Sequence, residues 1–201
     1  MLIRDVMTSN VITVASSTPL AEIRRLMETH RIRRVPVVDN EKLLGIVTRN
    51  ALEREVSSLL STLTASDMMV SHLVTVSPED TVEEVVALAQ AKRVGALLVL
   101  KQDRLVGIAT TNDFFYKILN PLLGIELPGT RISIQDCARS QDVEKILHII
   151  NELNIGVLSM FTMRRQHSPN LLFTVHLDTE DARPVMDAIR KQGYRVETRR
   201  R

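Results

Sequence analysis

Along the first 120 residues, short apolar runs alternate with segments of helical period. Val11-Ile12-Thr13-Val14 reads as a short strand, and Thr18-Pro19 then opens a helix, the threonine as cap and the proline at the first helical position. Leu20, Ile23, Leu26 and Met27 fall on one helical face and are its expected buried stripe. Val35-Pro36-Val37-Val38 is a second strand, residues 39–42 a turn, Leu43 to Val47 the returning strand, and a helix starts at Thr48. The same β-α-β-β-α order returns at 73–76, 82–91, 96–100 and 105–109, with a helix from Thr110. Asn120-Pro121-Leu122-Leu123-Gly124 then breaks the pattern.

Beyond that break, Arg131 to Gln135 alternates like a strand, and Val143, Ile146, Leu147, Ile150 and Leu153 share a helical face. Residues 155–162 and 171–177 read as strands around a polar loop containing Ser168-Pro169-Asn170. Ala182 to Lys191 is a helix and Tyr194-Arg195-Val196 a last strand. The order is βαββαβ, which is ferredoxin-like. The fold class is α/β (α+β), with units at 1–62, 63–124 and 129–198.

The first two units are copies. Asp5-Val6-Met7 recurs as Asp67-Met68-Met69, Thr13-Val14 as Thr75-Val76, and Leu43-Leu44-Gly45-Ile46-Val47-Thr48 as Leu105-Val106-Gly107-Ile108-Ala109-Thr110, always 62 positions later. A duplicated unit of this size predicts two similar lobes about a pseudo-twofold axis.

The chemistry concentrates at Gly107-Ile108-Ala109-Thr110-Thr111-Asn112-Asp113, where a strand turns straight into a helix. One reading is a capping box between Thr110 and Asp113. The other is a nucleotide site, in which helix-terminal amides face a phosphate and Asp113 accepts both hydroxyls of a ribose. The first copy keeps Thr48 but has Ala51 where the acid belongs.

The Asp-Val-Met-Thr opening, the Arg-Val-Pro-Val-Val-Asp strand and the Gly-Ile-x-Thr-x-x-Asp close each resemble a cystathionine-β-synthase (CBS) domain, and the pair resembles a Bateman module over residues 1–120. That resemblance implies sheet-to-sheet packing and two symmetry-related clefts for adenosine-containing ligands. Each cleft would combine the closing motif of one unit with the strand entry of the other. One cleft then joins Ile108, Thr110 and Asp113 to Thr13 and to Ile32, Arg33, Arg34, Val35 and Pro36, with guanidinium groups for phosphate. The other joins Thr48 and Ala51 to Gly95 and Ala96 and carries no charge. The implied ligand is AMP, ADP or ATP, one per chain, with S-adenosylmethionine, NAD(H) or a cyclic dinucleotide as alternatives. A non-binding scaffold is the rival of another class. The βαββαβ region is similar to an ACT domain, although the usual Asp-x-Pro-Gly turn is replaced by Asp136-Cys137-Ala138-Arg139. Both resemblances imply a homodimer and a downstream protein target.

The remaining features narrow the classes. A net charge of +2 and 3% aromatic residues give no footing for nucleic acid or a membrane surface. No apolar run approaches a membrane span and no signal-peptide pattern opens the chain, so a cytoplasmic protein is expected. Cys137 is the single cysteine and is expected to be structural. His30, His72, His148, His167 and His176 lack metal-ligand spacing. No nucleophile elbow, P-loop or dinucleotide fingerprint is present, so no enzymatic activity is expected. Arg199-Arg200-Arg201 reads as a frayed tail.

Overall fold

The computed structural model describes residues 1–55, 60–125, 127–137, 139–164 and 171–199, in two compact units, Met1–Phe114 and Phe115–Arg201. Ala138, His167, the Ser168-Pro169-Asn170 loop and the last two arginines lie outside the described residues.

In the first unit, α1 is Ile3–Val6, α2 Leu20–Thr29, β1 Arg34–Asp39, β2 Lys42–Thr48, α3 Arg49–Leu52, α4 Ala65–Met68, β3 Thr75–Val76, α5 Val82–Lys92, β4 Ala96–Lys101, β5 Arg104–Thr110 and α6 Thr111–Phe114. The strands lie in the order β1-β2-β5-β4-β3. Both hairpins turn through two residues of positive φ, Asn40 and Glu41 in one and Gln102 and Asp103 in the other. These are type I′ turns, whose twist suits the flanking strands. Each hairpin also carries one register shift at the same repeat position, Val37/Val38 and Val99/Leu100. The hairpins join at their edges through one residue pair, Lys42 opposite Arg104. These two residues are 62 positions apart, so the pseudo-twofold axis passes between them. Arg104 is paired with Glu41 at 2.8 Å, which offsets the like-charge contact.

The repeats exchange their opening segments. Leu2 bridges Thr81 while Thr64 bridges Pro19, and Thr8 bridges Ile108 while Val70 bridges Ile46. Every contact of this set is returned by its partner after a shift of 62, the signature of a twofold relation. The methionine of each segment lies on the other repeat's mid-strand glycine, Met7 on Gly107 and Met69 on Gly45. A β-carbon at residue 45 would stand 2.8 Å from Met69 Cγ, so only glycine leaves the room. The first lobe's core gathers Val14, Leu20, Ile23, Met27, Val35, Val37 and Val47, with Ala65 supplied from the exchanged segment.

Two local expectations need correction, and proline is the reason in both. Pro19, not Thr18, holds the cap position of α2, and no side chain caps that helix. Its repeat counterpart Thr81 forms a full capping box with Glu84. Residues 11–14 do not form a strand; only Val14 pairs, with Val37. Leu98 donates its N–H to Val74 and so extends the equivalent ladder to β3. Its counterpart Pro36 has no N–H to give.

The second unit begins with a π-helical turn, Phe115–Leu119, followed by α7 Asn120–Leu123. Pro121 therefore sits in the first turn of a helix, where its missing N–H costs nothing, and does not break one. The stop comes at Gly124, in the left-handed conformation at φ 58°. Then follow β6 Thr130–Gln135, α8 Ser140–Glu152, β7 Val157–Arg164, β8 Leu171–Leu177, α9 Arg183–Lys191 and β9 Val196–Arg199. Arg199 ends that last strand, where a frayed tail was expected. The antiparallel sheet runs β7-β8-β6-β9, the ferredoxin-like arrangement of βαββαβ. Ile132, Ile134, Phe173 and Val175 meet Ile146 and Ile150 of α8 and Val185 and Ile189 of α9 in its core.

Candidate functional site

Two strand-to-helix corners define the candidate site, because β2 and β5 each end in a threonine that starts a helix. At Thr48 the hydroxyl accepts the Ala51 N–H at 3.3 Å. At Thr110 the hydroxyl accepts the Asp113 N–H at 3.4 Å, and Asp113 answers as a full box. Its Oδ2 accepts the Thr110 hydroxyl at 2.6 Å and the Thr110 N–H at 2.9 Å. Its Oδ1 accepts the Thr8 hydroxyl at 3.0 Å. Asp113 is buried, so these bonds hold its carboxylate in a fixed orientation.

The duplicated counterparts of this network are apolar. Val70 stands at the position of Thr8 and Ala51 at that of Asp113. The hydroxyl and the acid were therefore kept together in one copy and are missing together from the other. Thr8 is the residue sequence reasoning missed, and the paired mismatch Thr8/Val70 with Asp113/Ala51 was the signal.

Arg34 opens β1 and crosses to the other repeat, where a β-carbon on Gly95 would stand 2.8 Å from its Nη2. Gly95 offers its carbonyl to the N–H of Thr111 at 3.3 Å, so Arg34 comes to rest beside the Thr110 corner. The guanidinium is half-buried, and burial first, then the neighbouring Arg33 cation, pull its pKa down from the ordinary arginine value. No carboxylate among the described residues is paired with either arginine.

A hollow of about 190 Å³ is lined by Arg34, Thr48, Ile46, Val70, His72, Gly95, Ala96 and Leu98 among others. This is the cleft expected to be without charge; Arg34, which the sequence assigned to the Asp113 cleft, lines this one because Gly95 leaves space. Shifted by one repeat, its lining residues include Ile32, Arg33, Arg34, Pro36, Ile108 and Thr110, six of the nine residues that the sequence assigned to the other cleft, together with Thr8. Of the expected residues, Arg33 and Thr13 are exposed at the surface. Val35 is wholly buried and Ile108 nearly so, which leaves mainly their backbone to meet a ligand. His72 is exposed, and His148 forms a surface pair with Glu152. His176 packs in the second unit beside Gly124.

No metal-binding cluster of His, Cys, Asp or Glu occurs among the described residues, and no helix there is long and apolar enough to cross a membrane. Cys137 is buried, and burial followed by the nearby Asp142 pushes its thiol up to about 11.

Comparison with known proteins places these features. The CBS domain family profile matches residues 3–58 and again 65–120. An inosine-5'-monophosphate dehydrogenase of Korarchaeum cryptofilum is 36% identical over 122 residues, 60% of this chain and 24% of its own. The chain thus spans about a quarter of that relative. A Vibrio cholerae protein described as an acetoin utilization protein (AcuB) is 35% identical with a TM-score of 0.56, over 63% of this chain and 95% of that one. The CBS domain pair of protein MJ0100, solved with 5'-methylthioadenosine and S-adenosyl-L-methionine, shares the fold at 23% identity and a TM-score of 0.53, over 63% and 98% of the two chains.

Proposed function

The chain belongs to the CBS-domain family, and we propose that its tandem pair is a sensor for an adenine nucleotide, AMP, ADP or ATP, bound once per chain. The observation that carries this reading is the half-buried Arg34 guanidinium with Arg33 beside it, set against Gly95, whose carbonyl accepts the Thr111 N–H, and without a carboxylate partner among the described residues. A planar cation held partly out of water and crowded by a second cation gains most from an anion that accepts several hydrogen bonds. Phosphate meets that description. Asp113, buried and oriented, takes the ribose hydroxyls, while Ile108, Ile32 and Pro36 border the base and Thr13, Thr110 and Val35 complete the cleft. Charge-assisted bonds of about 1.5–3 kcal/mol each, added to an enclosed adenine, reach the roughly 8 kcal/mol of micromolar binding.

The proposed module comprises units 1–62 and 63–124. Its occupancy is relayed to an ACT-type domain at 129–198, for which the βαββαβ order is the support, and to a downstream protein. The proposed assembly is a homodimer and the proposed setting is acetoin utilisation, on the likeness to the Vibrio cholerae protein. S-adenosylmethionine is the second reading, favoured by the ligands of the MJ0100 pair. Its sulfonium cation sits poorly beside two arginines, which ranks it below a nucleotide phosphate.

Titration calorimetry with AMP, ADP, ATP and S-adenosylmethionine tests the proposal. The expected outcome is micromolar binding of at least one nucleotide by the wild type, weakened at least tenfold in Asp113→Ala and unchanged in Ala51→Gly. A protein that binds none of the four is a scaffold.

A further inference from the structure

The cation and the acid of the candidate site stand at different corners of the module. In the strand ladders Arg34 lies directly opposite Thr48, whereas Thr110, whose corner carries Asp113, lies opposite Ala96. Residues 34 and 96 are repeat counterparts, as are 48 and 110, so the pseudo-twofold axis exchanges the corner with the cation for the corner with the acid. Gly95 stands between them. Its carbonyl accepts the Thr111 N–H at 3.3 Å and the Thr111 hydroxyl at 3.4 Å, which ties it to the start of α6. A β-carbon on it would stand 2.8 Å from Arg34 Nη2 and 3.5 Å from Thr111 Oγ1, so the missing side chain leaves this divide open.

Charge reaches the divide from one repeat only. Arg33 and Arg34 belong to the first, and their counterparts Gly95 and Ala96 supply room in place of charge. The Arg34 guanidinium carries five N–H donors, yet it has no hydrogen bond or ion pair among the described residues. The hollow of about 190 Å³ that it lines is shared with Thr48 and the exposed His72. Thr48 accepts the Ala51 N–H on its oxygen and keeps its own proton to donate. A phosphate attached directly to a ribose stays at the corner of the ribose, beside the acid. Only a chain of phosphates leads from there past Gly95 into the hollow.

We infer that the module selects nucleotides by the length of their phosphate chain, holding the ribose at Asp113 and the distal phosphates of ADP or ATP against Arg34, Thr48 and His72 in the neighbouring hollow. This inference rests on the nucleotide reading above and adds a ligand class to it, nucleoside di- and triphosphates in preference to the monophosphate. Gly95 is the positioning residue, because its bare backbone lets the guanidinium stand where the chain must pass.

Titration calorimetry with AMP, ADP and ATP on wild type, Arg34→Gln, Gly95→Ala and Asp113→Ala, without magnesium and at one ionic strength, tests it. The expected result is ATP binding to the wild type about tenfold or more tighter than AMP, with ADP between, the effect of about one charge-assisted bond. Arg34→Gln keeps most of the bulk and loses the cation. Gly95→Ala alters no charge and displaces only the far end of a flexible side chain, so its effect reports position and not net charge. In both, the ratio of ATP to AMP affinity falls below about threefold, whereas Asp113→Ala weakens all three nucleotides together and leaves the ratio in place. A wild type that binds AMP as tightly as ATP overturns the inference and leaves the nucleotide reading standing, as does a ratio that survives either Arg34→Gln or Gly95→Ala. A wild type that binds none of the three overturns both.

Discussion

Arg34 shows how one side chain can be costly in the protein and useful to it. Held half out of water beside Arg33, it destabilises the ligand-free molecule by an amount that an anion would relieve. Arg34→Ala is therefore expected to raise the melting temperature without ligand and to weaken nucleotide binding about 10- to 100-fold, the effect of one or two charge-assisted bonds. A melting scan and a titration on the same sample check both signs. Cys137 behaves in the opposite manner. With its thiol pushed up to about 11, the native protein should resist alkylation at pH 8 and become labelled only on unfolding. Mass spectrometry after iodoacetamide treatment reads the difference. At this scale the sequence was informative about residue types and less so about their partners. Asp113 could be singled out because a local motif contains it. Thr8 was harder to single out, since its partner lies 105 residues away and its trace in the sequence is the paired mismatch with Val70.

Among the elements, the helix starts are the most legible parts of the chain and the most sensitive to pH. Hydrogen bonds from the Thr64 N–H and hydroxyl hold the Asp67 carboxyl below its usual range, and the Thr81 hydroxyl and N–H do the same for Glu84. A carboxylate whose pKa is depressed on folding contributes its full stability above the unfolded value near 4 and loses it as pH falls through the folded value. Stability should decline below about pH 4, and Glu84→Gln should flatten that decline, as urea unfolding between pH 3 and 7 would show. What the pattern could not show was the consequence of a single missing N–H. Val11 to Val14 has strand composition, but strand pairing also depends on its neighbour, and Pro36 withholds the rung that Leu98 provides. The glycines of β2 and β5 were visible as repeated letters without a visible purpose. Their purpose is to admit Met69 and Met7. Gly45→Ala, whose β-carbon would meet the base of the Met69 side chain, should cost about 1–3 kcal/mol by overpacking, measurable as a lowered denaturation midpoint.

At the scale of the whole molecule, the duplication was plain in the sequence and its geometry was not. A shift of 62 residues identifies equivalent positions, yet it does not say which copy completes which lobe. The reciprocal bridges answer that: the stretch before the first lobe is built into the second, and the stretch between the copies is built into the first. The asymmetry of the clefts follows from the same exchange, because Thr8 reaches Asp113 only by crossing over.

That crossover makes damage travel in an unexpected direction along the chain. Trimming residues 1–8 would leave the hairpin nearest the cut, 34–48, with its bridge partners Val14 and Val70 and with Met69 on its glycine. The hairpin at 96–110 would lose Met7 from its glycine and Thr8 from its edge. Deuterium uptake should accordingly quicken in the distant hairpin and stay slow in the near one. An investigator who shortens this protein at its start will be injuring its middle.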